Sequence, residues 1–167
     1  MRPTLPALRR RRVPRGSRYR VLLVCSSGGH LAQLLALRPW WAEHDRTWVC
    51  FDTPDALGAL RGERLVRCHH PTTRNVANLV RNLVLALGTL RAERPDVIVS
   101  DGAGVAVPFF WLGRLFGART VYLEVYDRID SSTMTGRLVD PVTDLFLVQW
   151  DAQLASYPDA VVAGPVY

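Results

Sequence analysis

The 167 residues are 49% hydrophobic and 22% charged, a globular balance that excludes a disordered, collagen-like or disulfide-stapled chain. This length gives one domain with a real core, burying about 70% of the surface the unfolded chain exposes, and leaves no room for a second full domain. The +6 charge is uneven, because eight arginines and no acid stand in the first twenty positions, so the remainder carries −2.

Residues 1–18 therefore read as a basic, disordered arm ahead of a folded domain at 19–167. Such an arm suits an anionic partner, nucleic acid or lipid headgroups; the other reading is an extension without a role. Tyr19 to Cys25 is a short aliphatic run stopped by Ser26-Ser27-Gly28-Gly29, which predicts a buried strand and a tight turn. His30 to Leu37 has helical spacing, with Pro39 as its expected terminator. The alternation repeats: strand Arg46 to Phe51, helix Thr53 to Leu60, strand Leu65 to Cys68, helix Asn75 to Glu93 and strand Asp96 to Ser100. A glycine turn, Asp101-Gly102-Ala103-Gly104, leads into an apolar helix from Val105 to Phe116. Strands at Thr120 to Glu124, Leu145 to Gln149 and, briefly, Ala160 to Val162 complete the series. Strands separated by helices imply right-handed crossovers, hence a Rossmann-like α/β fold with a mostly parallel sheet covered on both faces. The chain ends on Ala163-Gly164-Pro165-Val166-Tyr167, where a two-domain α/β enzyme would begin its linker, so it reads as a first half.

Cys25, Cys50 and Cys68 are odd in number and lack C-x-x-C spacing, which fits buried strand thiols in a reducing compartment. No run approaches the 18 or so apolar residues of a membrane span, and the arginines are not followed by the apolar core of a secretory signal.

In an open parallel sheet the ligand crevice lies beyond the carboxyl ends of the strands. That rule selects the loops that begin at Ser26, Asp52, His69, Asp101, Tyr126 and Gln149. Gly28 and Gly29 allow a tight turn, and the amides of the helix behind them suit a phosphate or pyrophosphate; the plain reading is a turn and nothing more. Asp52 stands where a ribose-binding acid would sit in a dinucleotide fold, but G-x-G-x-x-G is absent, which counts against NAD. His30 opens its helix beside the glycines, either as a general base for an attacking hydroxyl or as a histidine that only hydrogen-bonds its own loop. His69-His70 has no partners at metal-ligand spacing and reads as a strand exit.

Gly102 and Gly104 repeat the strand, glycine turn and helix order, and two such turns favour an extended, phosphate-bearing ligand. Glu124 and Arg128 either hold an acceptor or partner, or pair with each other. The helix from Asn75 sets Val76, Leu79, Val80, Leu83, Leu87 and Leu90 on one side, with Arg74, Arg81, Arg91 and Arg94 nearby. It either lies on a lipid surface or covers the sheet. No aromatic-interleaved basic patch points to nucleic acid.

Four stretches, in order and with compatible spacing, resemble the Alg14-like family, which includes capsule and exopolysaccharide proteins of the PssD and CpsF type. They are Val24 to Leu31, Ser100 to Pro108, Tyr122-Leu123-Glu124 through Thr135-Gly136-Arg137, and Leu147 to Trp150 with Gly164 to Tyr167. The resemblance implies the N-terminal half of a GT-B glycosyltransferase, working with an Alg13-like chain that binds the nucleotide sugar. The implied reaction moves a sugar from a UDP-sugar, UDP-GlcNAc or a related hexose donor, to a lipid-diphosphate-linked acceptor, with no metal and no cofactor. His30 is then the candidate base, and Ser27, Gly28, Gly29, Gly102, Gly104, Glu124 and Arg128 are the acceptor or phosphate residues. The resemblance also implies a chain that is inactive or weak without its partner, attached peripherally to the cytoplasmic face of the plasma membrane, with the arginine arm in place of a membrane helix. A non-catalytic recruiter of the partner and a stand-alone nucleotide- or NAD-binding protein are the rival readings.

Overall fold

A computed structural model describes residues 16–166. Most of the expected arm, residues 1–15, and the terminal Tyr167 lie outside the described residues.

Seven parallel strands form one sheet in the order β3-β2-β1-β4-β5-β6-β7. They are β1 (Arg20–Val24), β2 (Asp45–Cys50), β3 (Leu65–Arg67), β4 (Val97–Ser100), β5 (Arg119–Leu123), β6 (Leu145–Val148) and β7 (Val161–Val162). β1 and β4 are the central pair, with Leu22 opposite Ile98 and Val24 opposite Ser100. Both are runs of aliphatic and β-branched residues because both faces of the sheet are covered here. Successive residues serve opposite cores: Leu22 and Val24 join one cluster with Phe109, Phe110 and Tyr122, while Val21, Leu23 and Cys25 join another with Leu34, Trp41 and Trp48. Cys25, Cys50 and Cys68 are buried free thiols.

The helices are α1 (Gly29–Ala36), α2 (Arg38–Trp41), α3 (Pro54–Ala59), α4 (Val76–Glu93), α5 (Ala106–Leu115) and α6 (Met134–Val139). Pro39 does not end the first helical segment in coil as expected. It sits in the opening turn of α2, where the proline's missing N–H leaves nothing unpaired. α6 was also unexpected. Thr133 caps it by accepting from the Gly136 N–H at 2.9 Å, but the helix is one and a half turns long, too short for a periodic signal.

The main departure is α4. Its sheet side carries Asn78, Asn82, Ala86, Thr89 and Leu90, so of the stripe read from sequence Leu90 is buried as expected and Leu87 is half-buried, while Val76, Leu79, Val80 and Leu83 face out, with Val76 73% and Val80 54% exposed. Asn82 explains the inversion, because its side chain accepts from His69 N–H at 2.8 Å and donates to His69 C=O at 2.9 Å. Asn78 donates to the Pro71 carbonyl at 2.9 Å. α4 thus holds the loop after β3 with amides, which a leucine at either position could not do. The outward stripe continues onto α5 and α6: Arg91 lies over the Phe116 ring, and Trp111 Nε1–H donates to the Leu138 carbonyl, with Leu115, Met134 and Leu138 exposed alongside. Among the described residues no helix is long and apolar enough to cross a membrane.

Candidate functional site

The turn after β1, the turn after β4 and the loop after β5 meet at the carboxyl edge of the sheet around a cleft of about 460 Å³. Gly29, His30 and Gln33 line it from α1, Asp101 from the end of β4, and Tyr126 and Asp127 from the loop after β5. That loop is fastened by side chains reaching its backbone. Gln33 accepts from Tyr126 N–H at 3.2 Å, Trp150 Nε1–H donates to Tyr126 C=O at 2.9 Å, and Gln153 donates to Arg128 C=O at 2.5 Å. Gln149, at the end of β6, accepts from Val166 N–H at 2.8 Å and so brings the end of the described chain to the cleft rim.

His30 is the chemically distinctive group. Its Nδ1 lies 3.2 Å from Asp101 Oδ2, with the imidazole side chain 28% exposed and the carboxylate fully buried. Burial pulls the imidazole pKa down, but the close approach and charge of the Asp101 carboxylate outweigh it and hold His30 above its ordinary value, with Asp127 adding to the effect. Burial pushes the Asp101 carboxyl up to about 6, with the His30 ring pulling the other way. Gly102 makes this contact possible. At φ +136° it lies so close to the ring that a Cβ would stand 2.8 Å from His30 Cε1. Ala103 beside it takes φ 59°, a left-handed conformation that costs a non-glycine residue about 1 kcal/mol and holds the turn off its relaxed shape.

A family model described as "Oligosaccharide biosynthesis protein Alg14 like" matches residues 59–166. The chain belongs to the Alg14-like family. It is 24% identical over 179 residues to the Homo sapiens UDP-N-acetylglucosamine transferase subunit ALG14, covering 87% of this chain and 82% of that protein. The Debaryomyces hansenii protein of the same name is 26% identical over 180 residues, covering 90% of this chain and 76% of that protein. Among solved structures, Acinetobacter baumannii MurG superposes with a TM-score of 0.66 at 15% identity, over 78% of this chain and 41% of MurG. The UDP-GlcNAc 2-epimerase of Methanocaldococcus jannaschii gives 0.67 at 12% identity, over 87% of this chain and 45% of the epimerase. The chain spans less than half of each of these two proteins, and at such identities the likeness is one of fold, a Rossmann-like domain of the GT-B N-terminal type.

In this Alg14-like domain the residues singled out from sequence divide into two groups. Gly29 and His30 line the cleft. Ser27 is half-buried beside it, and Gly28, at φ +73°, precedes α1. The Gly28 amide expected to meet a phosphate donates instead to Asp55 Oδ2 at 3.2 Å. Gly104 is a packing glycine, because a Cβ there would stand 3.2 Å from both Thr72 Cβ and the Thr72 carbonyl oxygen. Glu124 is fully buried below the cleft as a structural hub, accepting from Tyr157 O–H at 2.5 Å, Thr133 O–H at 3.0 Å and Val125 N–H at 3.0 Å. No ion pair joins it to Arg128 among the described residues; Arg128 is exposed on the loop after β5. Asp52, at the position of a ribose-binding acid, pairs with His70 Nε2 at 3.1 Å.

Asp101, Asp127, Tyr126 and Gln33 belong to the cleft and were not among the expected site residues. The strand-end rule reaches Asp101 and Tyr126, but only the pairing with His30 distinguishes Asp101 from any other strand-end acid.

Proposed function

We propose that this chain supplies the acceptor-side domain of a two-chain glycosyltransferase. The transferred sugar comes from a UDP-sugar, N-acetylglucosamine or a related hexose, held by an Alg13-like partner, and goes to a lipid-diphosphate-linked acceptor. The observation that carries the reading is the His30 imidazole at a strand-end cleft, in a family whose curated relatives are named as UDP-N-acetylglucosamine transferase subunits.

In this scheme the acceptor hydroxyl lies against His30 Nε2, the ring nitrogen turned away from Asp101. As the hydroxyl oxygen attacks the anomeric carbon, its proton passes to Nε2 and the bond to the diphosphate breaks, with the electron pair leaving on UDP. Asp101 and Asp127 make the cleft acidic, which suits the hydroxyls of a neutral sugar. The acceptor diphosphate is assigned to the outer rim, at Ser27, the Gly29 amide and the exposed Arg128, since the Gly28 amide is taken by Asp55. Gly102, Gly104 and Glu124 hold the cleft in shape behind these groups. The scheme calls on no cofactor and no metal, and without its partner the chain has no donor to turn over.

Attachment to the cytoplasmic face of the membrane is peripheral in this reading. The outward stripe of α4, flanked by Arg81 and Arg91, offers an apolar face and cations together. Arginines of the arm would each add about 1 kcal/mol near an anionic surface. The same stripe favours the recruiter reading, in which all chemistry belongs to the partner. His30→Ala in the reconstituted pair separates the two. A general base predicts a kcat loss of about 10²-fold or more, whereas an unchanged kcat leaves the chain as a recruiter.

A further inference from the structure

Asp101 is a carboxylate at 0% exposure where β4 meets the glycine turn, a position that is costly for a charge unless something compensates it. Glu124 shows how this fold settles a buried carboxylate for structural ends, with hydroxyl and backbone donors on both oxygens. Asp101 is settled differently. Neither of its oxygens meets a well-angled donor among the described residues, and the group that faces it is the His30 ring, with Nδ1 at 3.2 Å from Oδ2. Gly102, the next residue, has no side chain and so leaves room for that ring.

We infer that Asp101 is the positioning residue for His30. It engages the Nδ1–H, fixes the tautomer with the Nε2 lone pair toward the cleft, and compensates the imidazolium formed when Nε2 takes a proton. The inference rests on the proposed catalytic use of His30, but the pairing itself is testable without turnover. The proton moves from the acceptor hydroxyl to Nε2 and no further, because the Nδ1 proton stays on the ring and Asp101 remains ionised. His30 then releases the added proton to solvent and returns to its starting tautomer.

Other titratable groups face the pair. Asp127 acts on His30 from the loop after β5, while Glu124 acts on Asp101 from the end of β5. The Tyr122 hydroxyl lies at the Gly102 position on β5, and Cys25 and Cys50 lie near Asp101 from β1 and β2. Of these, Asp127 alone pushes the imidazole in the same direction as Asp101, so it serves as the control.

The test is imidazole NMR on the full chain, titrating its four histidines, with the His30 signals assigned by their loss in His30→Ala. In the wild type, 15N shifts are expected to show neutral His30 protonated on Nδ1. Asp101→Asn is expected to lower the His30 midpoint by about one pH unit or more, a tenfold change in proton affinity, and Asp127→Asn by less. Asp101→Ser gives the same comparison if the amide disturbs the fold. An unmoved midpoint in a folded Asp101 variant, or an Nε2–H tautomer in the wild type, overturns the inference. In the reconstituted pair the acid limb of the pH–kcat profile should move down with the midpoint while the donor KM holds. A shifted midpoint with full activity in His30→Ala would instead sink the catalytic reading and leave the pairing intact.

Discussion

α4 and α5 pack side by side on one face of the sheet, and the first half of α4 buries a different kind of residue from α5. α5 turns Phe109 and Phe110 inward at 0% exposure, the arrangement expected for an apolar helix over a parallel sheet. α4 turns in Asn78 and Asn82 and leaves Val76, Leu79, Val80, Leu83 and Val84 outside. The difference lies in what each helix holds. α5 follows a short glycine turn and needs only to fill the space above Tyr122 and Phe146. α4 follows the longer loop at 68–75, whose His69 and Pro71 backbone groups would lose their side-chain partners if the asparagines faced solvent. Hydrophobic period finds a stripe on a helix. Which way the stripe points depends on which unpaired backbone groups lie beneath.

Breaking α5 should cost most. Phe110→Ala removes a fully buried ring from the larger core and is expected to lower unfolding free energy by about 3–5 kcal/mol in urea titration. A loss below about 1 kcal/mol would mean that α5 is not seated as described. On α4, Asn82→Ala strands the His69 N–H and C=O together, for an expected loss of about 1–3 kcal/mol. Asn82→Leu sharpens the contrast. By hydrophobicity it should improve a sheet-facing position, whereas the hydrogen-bond account expects it to destabilise at least as much as alanine. A more stable leucine variant would refute that account.

Much of the sheet was legible because its strands are short runs of aliphatic and β-branched residues closed by polar ones, Ser26 after β1, Asp101 after β4 and Glu124 after β5, and all three strands fall where those runs stand. α6 was not, since its evidence is one capping threonine and a glycine, Gly136, that must stay bare because a Cβ there would collide with the Glu124 carboxylate and Tyr157 hydroxyl. At the cleft, His30 and Gly29 were visible from their place after a strand, yet Asp101 was read only as the start of a glycine turn. Its meaning comes from a partner 71 residues earlier in sequence (101 − 30), a contact set by the β1–β4 pairing and not by any local pattern. Glu124 misled for the converse reason. A strand-end acid followed by an arginine looks like a cleft pair, and the donors that bury it come from Thr133 and Tyr157, nine and 33 residues further on.

The smallest effect on folding is expected on the outer face of α4, the face proposed above to meet the membrane. Val80→Ser with Val84→Ser removes two exposed side chains that touch no core, so the urea midpoint should correspond to a change of about 0.5 kcal/mol or less per site. If the stripe lies in a lipid surface, each valine, already partly covered, contributes about 0.8 kcal/mol on withdrawal of the rest from water, and the double variant should bind anionic vesicles about tenfold more weakly. Sedimentation with such vesicles, run for the wild type, the double variant and the chain lacking residues 1–18, separates the apolar from the cationic share. The arm deletion is expected to lose most of its deficit in high salt, which screens charge, while the valine deficit should persist. Equal binding by wild type and double variant would remove α4 from the membrane account and leave its outward stripe to a protein partner.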